Sequence, residues 1–108
     1  MSKVYVTQEN HRLNYSDAER YGEVVFITNF EYSPNVNSKR NMSIQNDICD
    51  TLVHYNSEED FFLLSGDPII MVLAFYHIAT KDGNASNRIR LLKWDNQDRS
   101  YNQIILTF

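Results

Sequence analysis

Phe61-Phe62-Leu63-Leu64-Ser65-Gly66-Asp67-Pro68 is the stretch from which the fold is read. Its four apolar residues do not alternate with polar ones, the pattern of a short strand covered on both faces. The polar turn that follows leads into a helix. Asp67 suits the N-cap, where its carboxylate accepts a hydrogen bond from a first-turn N–H. Pro68 suits the first helical position, where its missing N–H would be unpaired anyway. Residues 69–79 are then apolar nearly all the way round, and only Tyr76 and His77 carry polar tips. One sheet face leaves much of such a helix uncovered, so something further is expected to cover it. Lys81-Asp82-Gly83-Asn84 supplies the stop.

Towards the N-terminus, residues 4–7 alternate apolar and polar and predict a first strand, placed at a sheet edge. Ser16-Asp17-Ala18-Glu19 has the Ser-x-x-Glu form of a capping box and predicts a short helix over 17–21, ended by Gly22. Val24-Val25-Phe26-Ile27 is an unalternating run and is read as the central strand. Residues 29–41, rich in Asn and Ser and including Lys39 and Arg40, read as a surface loop. From residue 42 to 55, Ile44, Ile48, Leu52 and Tyr55 recur at helical spacing among polar residues, which predicts a helix with one inward stripe. Towards the C-terminus, residues 88–94 and 101–108 read as two strands joined by a polar turn over 95–100. The expected fold is therefore one small α/β domain over residues 1–108. It has a mixed, mainly parallel sheet of about five strands, two main helices, right-handed crossovers and a C-terminal β-hairpin.

Composition bounds the function. The chain has 108 residues, of which 43% are hydrophobic, 13% aromatic and 22% charged. That is enough for one core and too little for two. The net charge of −4 argues against gripping nucleic acid through bulk electrostatics, which needs clustered Lys and Arg. The single cysteine, Cys49, excludes an internal disulfide and a multi-cysteine metal site. The N-terminal residues turn polar at Gln8, too early for a signal peptide, and the apolar run 68–79 is far short of the roughly 20 residues that span a bilayer. A cytoplasmic protein with no membrane contact is expected. The Asn-x-Ser triplets at Asn14, Asn41 and Asn84 are then accidents of an Asn-rich chain.

Few residues suggest chemistry. In an α/β fold, ligands gather where strand C-termini and a helix N-terminus face one crevice. The candidate ligand-binding residues are accordingly Ser65, Gly66, Asp67 and Asp95. Asp67 puts a carboxylate over the helix amides, where it would compete with an anion, and no G-x-G-x-x-G occurs in a chain with three glycines. A structural cap is the favoured role. His11, His54 and His77 have no metal-binding spacing, and His77 reads as a core or interface histidine. Asp47 and Asp50 share a solvated helix face, and Cys49 reads as a half-buried, inert thiol. No catalytic residue, metal or cofactor is assigned. Residues 1–80 carry five cations and eleven anions, whereas 81–108 carry five and three. Arg88, Arg90, Lys93 and Arg99 lie among Trp94 and Tyr101, a mixture that can stack and hold single-stranded nucleic acid. The plainer account is an edge hairpin whose arginines discourage edge-to-edge pairing.

Four stretches carry a resemblance that covers most of the chain. They are Val4-Tyr5-Val6-Thr7-Gln8-Glu9, Ala18-Glu19-Arg20-Tyr21-Gly22-Glu23, Asp60 through Pro68, and Leu91-Leu92-Lys93-Trp94-Asp95-Asn96-Gln97-Asp98. Together they resemble a set of small tailed-bacteriophage proteins to which no activity is attached. The resemblance implies a viral origin and an intracellular host setting, and no reaction. The resulting expectation is a non-enzymatic phage accessory protein that binds a second copy of itself, or a host or phage protein. Its apolar helix and aromatic hairpin would provide the surface, through Phe75, Tyr76, Arg88, Arg90, Trp94 and Tyr101. The alternative is a small-molecule or nucleotide-binding domain with its site at Ser65-Gly66-Asp67. A weaker alternative is nucleic-acid binding by the hairpin.

Overall fold

The structure is a computed structural model that describes residues 1–35, 37–80 and 88–107. Its strands are β1 (Lys3–Gln8), β2 (Glu23–Thr28), β3 (Phe61–Leu63), β4 (Arg88–Asp95) and β5 (Ser100–Thr107). Its helices are α1 (Lys39–Thr51) and α2 (Pro68–Thr80), with 3-10 turns at Ser16–Tyr21 and Leu52–His54. The strands form one sheet in the order β2-β1-β3-β4-β5. β1 runs parallel to β2 and to β3, β3 runs parallel to β4, and β5 returns antiparallel to β4. This is the mixed, mainly parallel α/β architecture with a terminal hairpin that the sequence pattern implies. The stop at residues 81–84 lies outside the described residues.

Right-handed crossovers oblige a chain to change faces when it reverses direction across a sheet. From β1 to β2 it steps one way, through the Ser16–Tyr21 turn. From β2 to β3 and on to β4 it steps the other way, through α1 and α2. The two core clusters match this division. On one face Tyr5, Ile27, Phe62 and Ile89 meet Ile44 and Ile48 of α1 and Ile70 and Ala74 of α2. On the other, Val4, Val6, Phe61, Leu63 and Leu92 meet Tyr15, Ala18 and Tyr101.

Three local expectations are corrected. β1 is an inner strand, with residues 4–8 all buried, while β2 is an edge strand whose Phe26 is exposed. The alternation in β1 misled because its polar residues, Thr7 and Gln8, are buried with hydrogen-bond partners supplied by the turn after β3. Helix α1 starts at Lys39, inside the expected loop, because Ser38 caps it by accepting the Arg40 N–H at 3.2 Å. The Ser16–Glu19 capping box does not form. Ser16 lies within the turn and donates its own N–H to Asn14 Oδ1 at 2.9 Å. The inward stripe of α1 is as expected, with Ile44, Ile48 and Leu52 buried and Tyr55 packed against them.

Candidate functional site

β1 and β3 are neighbours whose onward connections leave on opposite faces, so the crevice beyond their C-terminal ends is the topological switch point where α/β sheets hold ligands. Ser65, Gly66 and Asp67 lie there. The Thr7 hydroxyl donates to Ser65 O at 2.7 Å and accepts the Ser65 N–H at 2.9 Å. Tyr15 Oη and Ser65 Oγ are 2.8 Å apart. Gln8 Oε1 accepts the Asp67 N–H at 2.5 Å. Gly66 adopts φ +80°, in the left-handed region, and lies close to the Gln8 side chain. Asp67 Oδ1 accepts the Ile69 N–H at 2.9 Å, capping α2, and its Oδ2 accepts the Tyr32 N–H at 2.9 Å, tying down the loop before α1. These hydrogen bonds assign Asp67 the capping role.

Outside this plug lies an open hollow of about 710 Å³ bordered by Gln8, Glu9, His11, Arg12, Glu31 and Asp67, among others. Its charges are mixed, with three carboxylates against one guanidinium. Asp95 does not join it. The Asp95 carboxylate sits at the hairpin turn and accepts the Gln97 N–H at 2.8 Å, beside a separate shallow hollow with Trp94, Asn96 and Asn102. The four candidate ligand residues therefore do not form one site.

The thiol is also placed differently from its expected half-buried position. Cys49 is exposed on α1, because it falls beside the buried stripe instead of within it. Its Sγ lies 3.7 Å from Nδ1 of half-buried His77 on α2. Sequence alone could not pair residues 28 apart on two helices. A thiol–imidazole contact on an exposed helix surface has no walls to hold a substrate. Among the described residues no group of three or more His, Cys, Asp or Glu is placed to hold a metal ion.

The six expected interaction residues divide between the two faces. Phe75 and Tyr76 project from α2, where Val72 is 64% and Tyr76 66% exposed. Beside them runs a groove of about 520 Å³ between α2 and the hairpin, bordered by Leu64, Val72, Phe75, Tyr76, Leu91 and Leu106 with almost no polar lining. Arg88, Arg90 and Trp94, which alternate along β4 with Leu92, and Tyr101 opposite Trp94 lie on the other face. The Arg90 guanidinium stands 5.9 Å from the Phe61 ring. Tyr101 is buried, which corrects its place in an exposed surface. Its N–H is held by Asp17 Oδ2 at 2.7 Å, and its carbonyl accepts from Arg20 Nη2 and from Tyr21 Oη. The Tyr101 ring supports Trp94 at 5.0 Å in an edge-to-face contact.

Among the described residues, the buried polar atoms Tyr5 Oη, Tyr55 Oη and Arg90 Nε have no hydrogen-bond partner. The sequence placed Tyr55 on an inward stripe and Arg90 on a surface, but a missing hydrogen-bond partner leaves no local pattern. Burial, reinforced by the Asp60 carboxylate, pushes the Tyr55 hydroxyl up to about 12 and also raises Tyr5. Tyr101 is raised as well, by burial first and then by Tyr15 and Asp17.

No helix among the described residues is long and apolar enough to cross a membrane. No curated protein and no solved structure matches the chain. The resemblance carried by the strand ends and the Leu63–Pro68 turn does have a counterpart among families: residues 2–108 match the model of the Phage Pam3 gp32-like protein family, and the chain belongs to that phage family.

Proposed function

We propose that this phage protein is a non-enzymatic accessory factor of the host cytoplasm that works by self-association through the outer side of α2. The observation that carries the reading is the apolar groove along α2. Apolar surface of this kind, held on a rigid helix, is ordinarily buried by another macromolecule. The occupant we propose is a second copy: two α2 helices related by a twofold axis would each lie along the other's groove. Among the described residues, none that borders the groove is Lys, Arg, Asp or Glu. Two chains of net charge −4 can therefore meet there without opposing like charges.

Light scattering of the purified protein at micromolar concentration tests this, with a dimer or larger species expected. Val72→Glu combined with Tyr76→Glu should weaken association by about 30-fold or more, the loss of an anchor worth about 2 kcal/mol. A strict monomer, or association indifferent to both substitutions, would overturn it.

A further inference from the structure

Among the described strands β5 ends the sheet, with β4 its one neighbour. In an antiparallel strand every second residue turns its N–H and C=O away from its partner; on β5 those of Tyr101 are taken by Asp17, Arg20 and Tyr21, so the edge available for pairing is the stretch beyond it, around Gln103 and Ile105. Natural edges are usually blunted by charged side chains, proline, bulges or short length. Ser100–Thr107 has eight residues and contains no Lys, Arg, Asp, Glu, Pro or Gly. Its register with β4 runs unbroken from Asp95↔Ser100 to Arg88↔Thr107, with no bulge. The arginines expected to guard this edge, Arg88 and Arg90, stand on β4, one strand in from it. Ile104, Ile105 and Leu106 are exposed, Ile105 at 42%. Ile104 and Leu106 oppose Leu91 and Ile89 on the α2 side, and Ile105 points to the other face.

We infer that β5 pairs antiparallel with β5 of a second copy about a twofold axis normal to the sheet, doubling the five-stranded sheet. The inference rests on the open edge, not on the α2 groove, and the two stand or fall separately. Such an axis keeps each face on its own side, so residues directly opposite one another share a face. One residue must then face its own copy. Placing Ile104 there sets Ile105 opposite Gln103 and Leu106 opposite Asn102, leaves Tyr101 with Asp17, Arg20 and Tyr21, and puts an apolar pair at the centre. The strand carries no carboxylate or ammonium, and at its Tyr101 end the Asp17 carboxylate is paired with Arg20, so two acidic chains meet on a seam without net charge.

The test is disulfide trapping in a Cys49→Ser background, which removes the native thiol. Ile104→Cys should form a covalent dimer on mild oxidation, because Cα atoms facing across an antiparallel pair lie about 5 Å apart. Ile105→Cys should not, because its copies are displaced along the strands to about 8 Å, beyond disulfide reach. The Ile104→Cys cross-link should persist when Val72→Glu and Tyr76→Glu are added, and Ile105→Lys should weaken edge pairing at least tenfold. No cross-link through Ile104→Cys in a variant with native circular dichroism would overturn the inference. If the protein nevertheless dimerises in an α2-dependent way, the proposed function stands without it. If the cross-link forms and the α2 substitutions change nothing, the edge stands alone.

Discussion

Substituting Gly66 by alanine tests the claim that the switch-point crevice is filled by the protein's own side chains. At φ +80° a residue with a Cβ incurs about 1–2 kcal/mol of backbone strain. The added methyl would also lie 2.7 Å from Gln8 Cβ and 2.8 Å from Gln8 Cδ. Gln8 Cβ cannot swing aside, because it is fixed to a buried inner strand. Gln8 would have to abandon its hydrogen bond to the Asp67 N–H, a loss of about 1–2 kcal/mol. The sum is about 2–4 kcal/mol, and at about 4 °C per kcal/mol for a domain of this size it lowers Tm by roughly 8–16 °C. Urea unfolding followed by circular dichroism measures it, with an unchanged m-value showing that stability alone has moved. In a Gln8→Ala background the clash with Cδ and the hydrogen bond are already gone, so the same substitution should cost about 1 kcal/mol less. A Gly66→Ala protein within about 0.5 kcal/mol of wild type, or an identical loss in both backgrounds, would refute the reasoning.

Asp67→Ala should cost about 1–2 kcal/mol by uncapping α2 and should free the Tyr32 N–H, while Asp67→Asn, which keeps an acceptor oxygen, should lose less; paired urea melts compare them. Tyr55→Phe removes a buried hydroxyl that has no partner, so its melt should show no loss beyond about 0.5 kcal/mol, and a larger loss would mean that the hydroxyl is satisfied. Because burial raises Tyr55 to about 12, the folded state holds this proton more tightly than the unfolded chain. Stability conferred by this group is thus complete below about pH 10 and declines as pH rises towards 12. Tyr55→Phe should flatten the alkaline limb of a Tm-against-pH curve. Nucleosides and nucleotides should leave Tm unmoved, since Asp67 is occupied as a cap; a ligand at 100 times its Kd would add about 2.7 kcal/mol and would be plain in a thermal-shift assay.

The order of elements was legible from sequence because the Ser65–Pro68 punctuation and the Ile44–Ile48–Leu52 stripe are local signals. The position of each strand in the sheet was not. Thr7 and Gln8 look like solvent-facing residues until the turn after β3 supplies their partners from 58 and 59 residues away. The same holds for Asn41, read as loop and in fact buried in α1, where its side chain binds Ser33 and Asn35 and shapes the preceding segment. At the candidate site, Asp67 as a cap was readable from its neighbours. The separation of Asp95 from it, the burial of Tyr101 and the meeting of Cys49 with His77 depend on tertiary contacts that no spacing encodes.

The placement of β3 has a kinetic corollary. Its three residues are sandwiched between β1, from the start of the chain, and β4, from near its end. No fragment that ends before β4 can complete the middle of the sheet, and loop closure over such separations precedes the reward from pairing. During synthesis β3 can pair with β1 as soon as it emerges, but it gains its second neighbour only once β4 has been made.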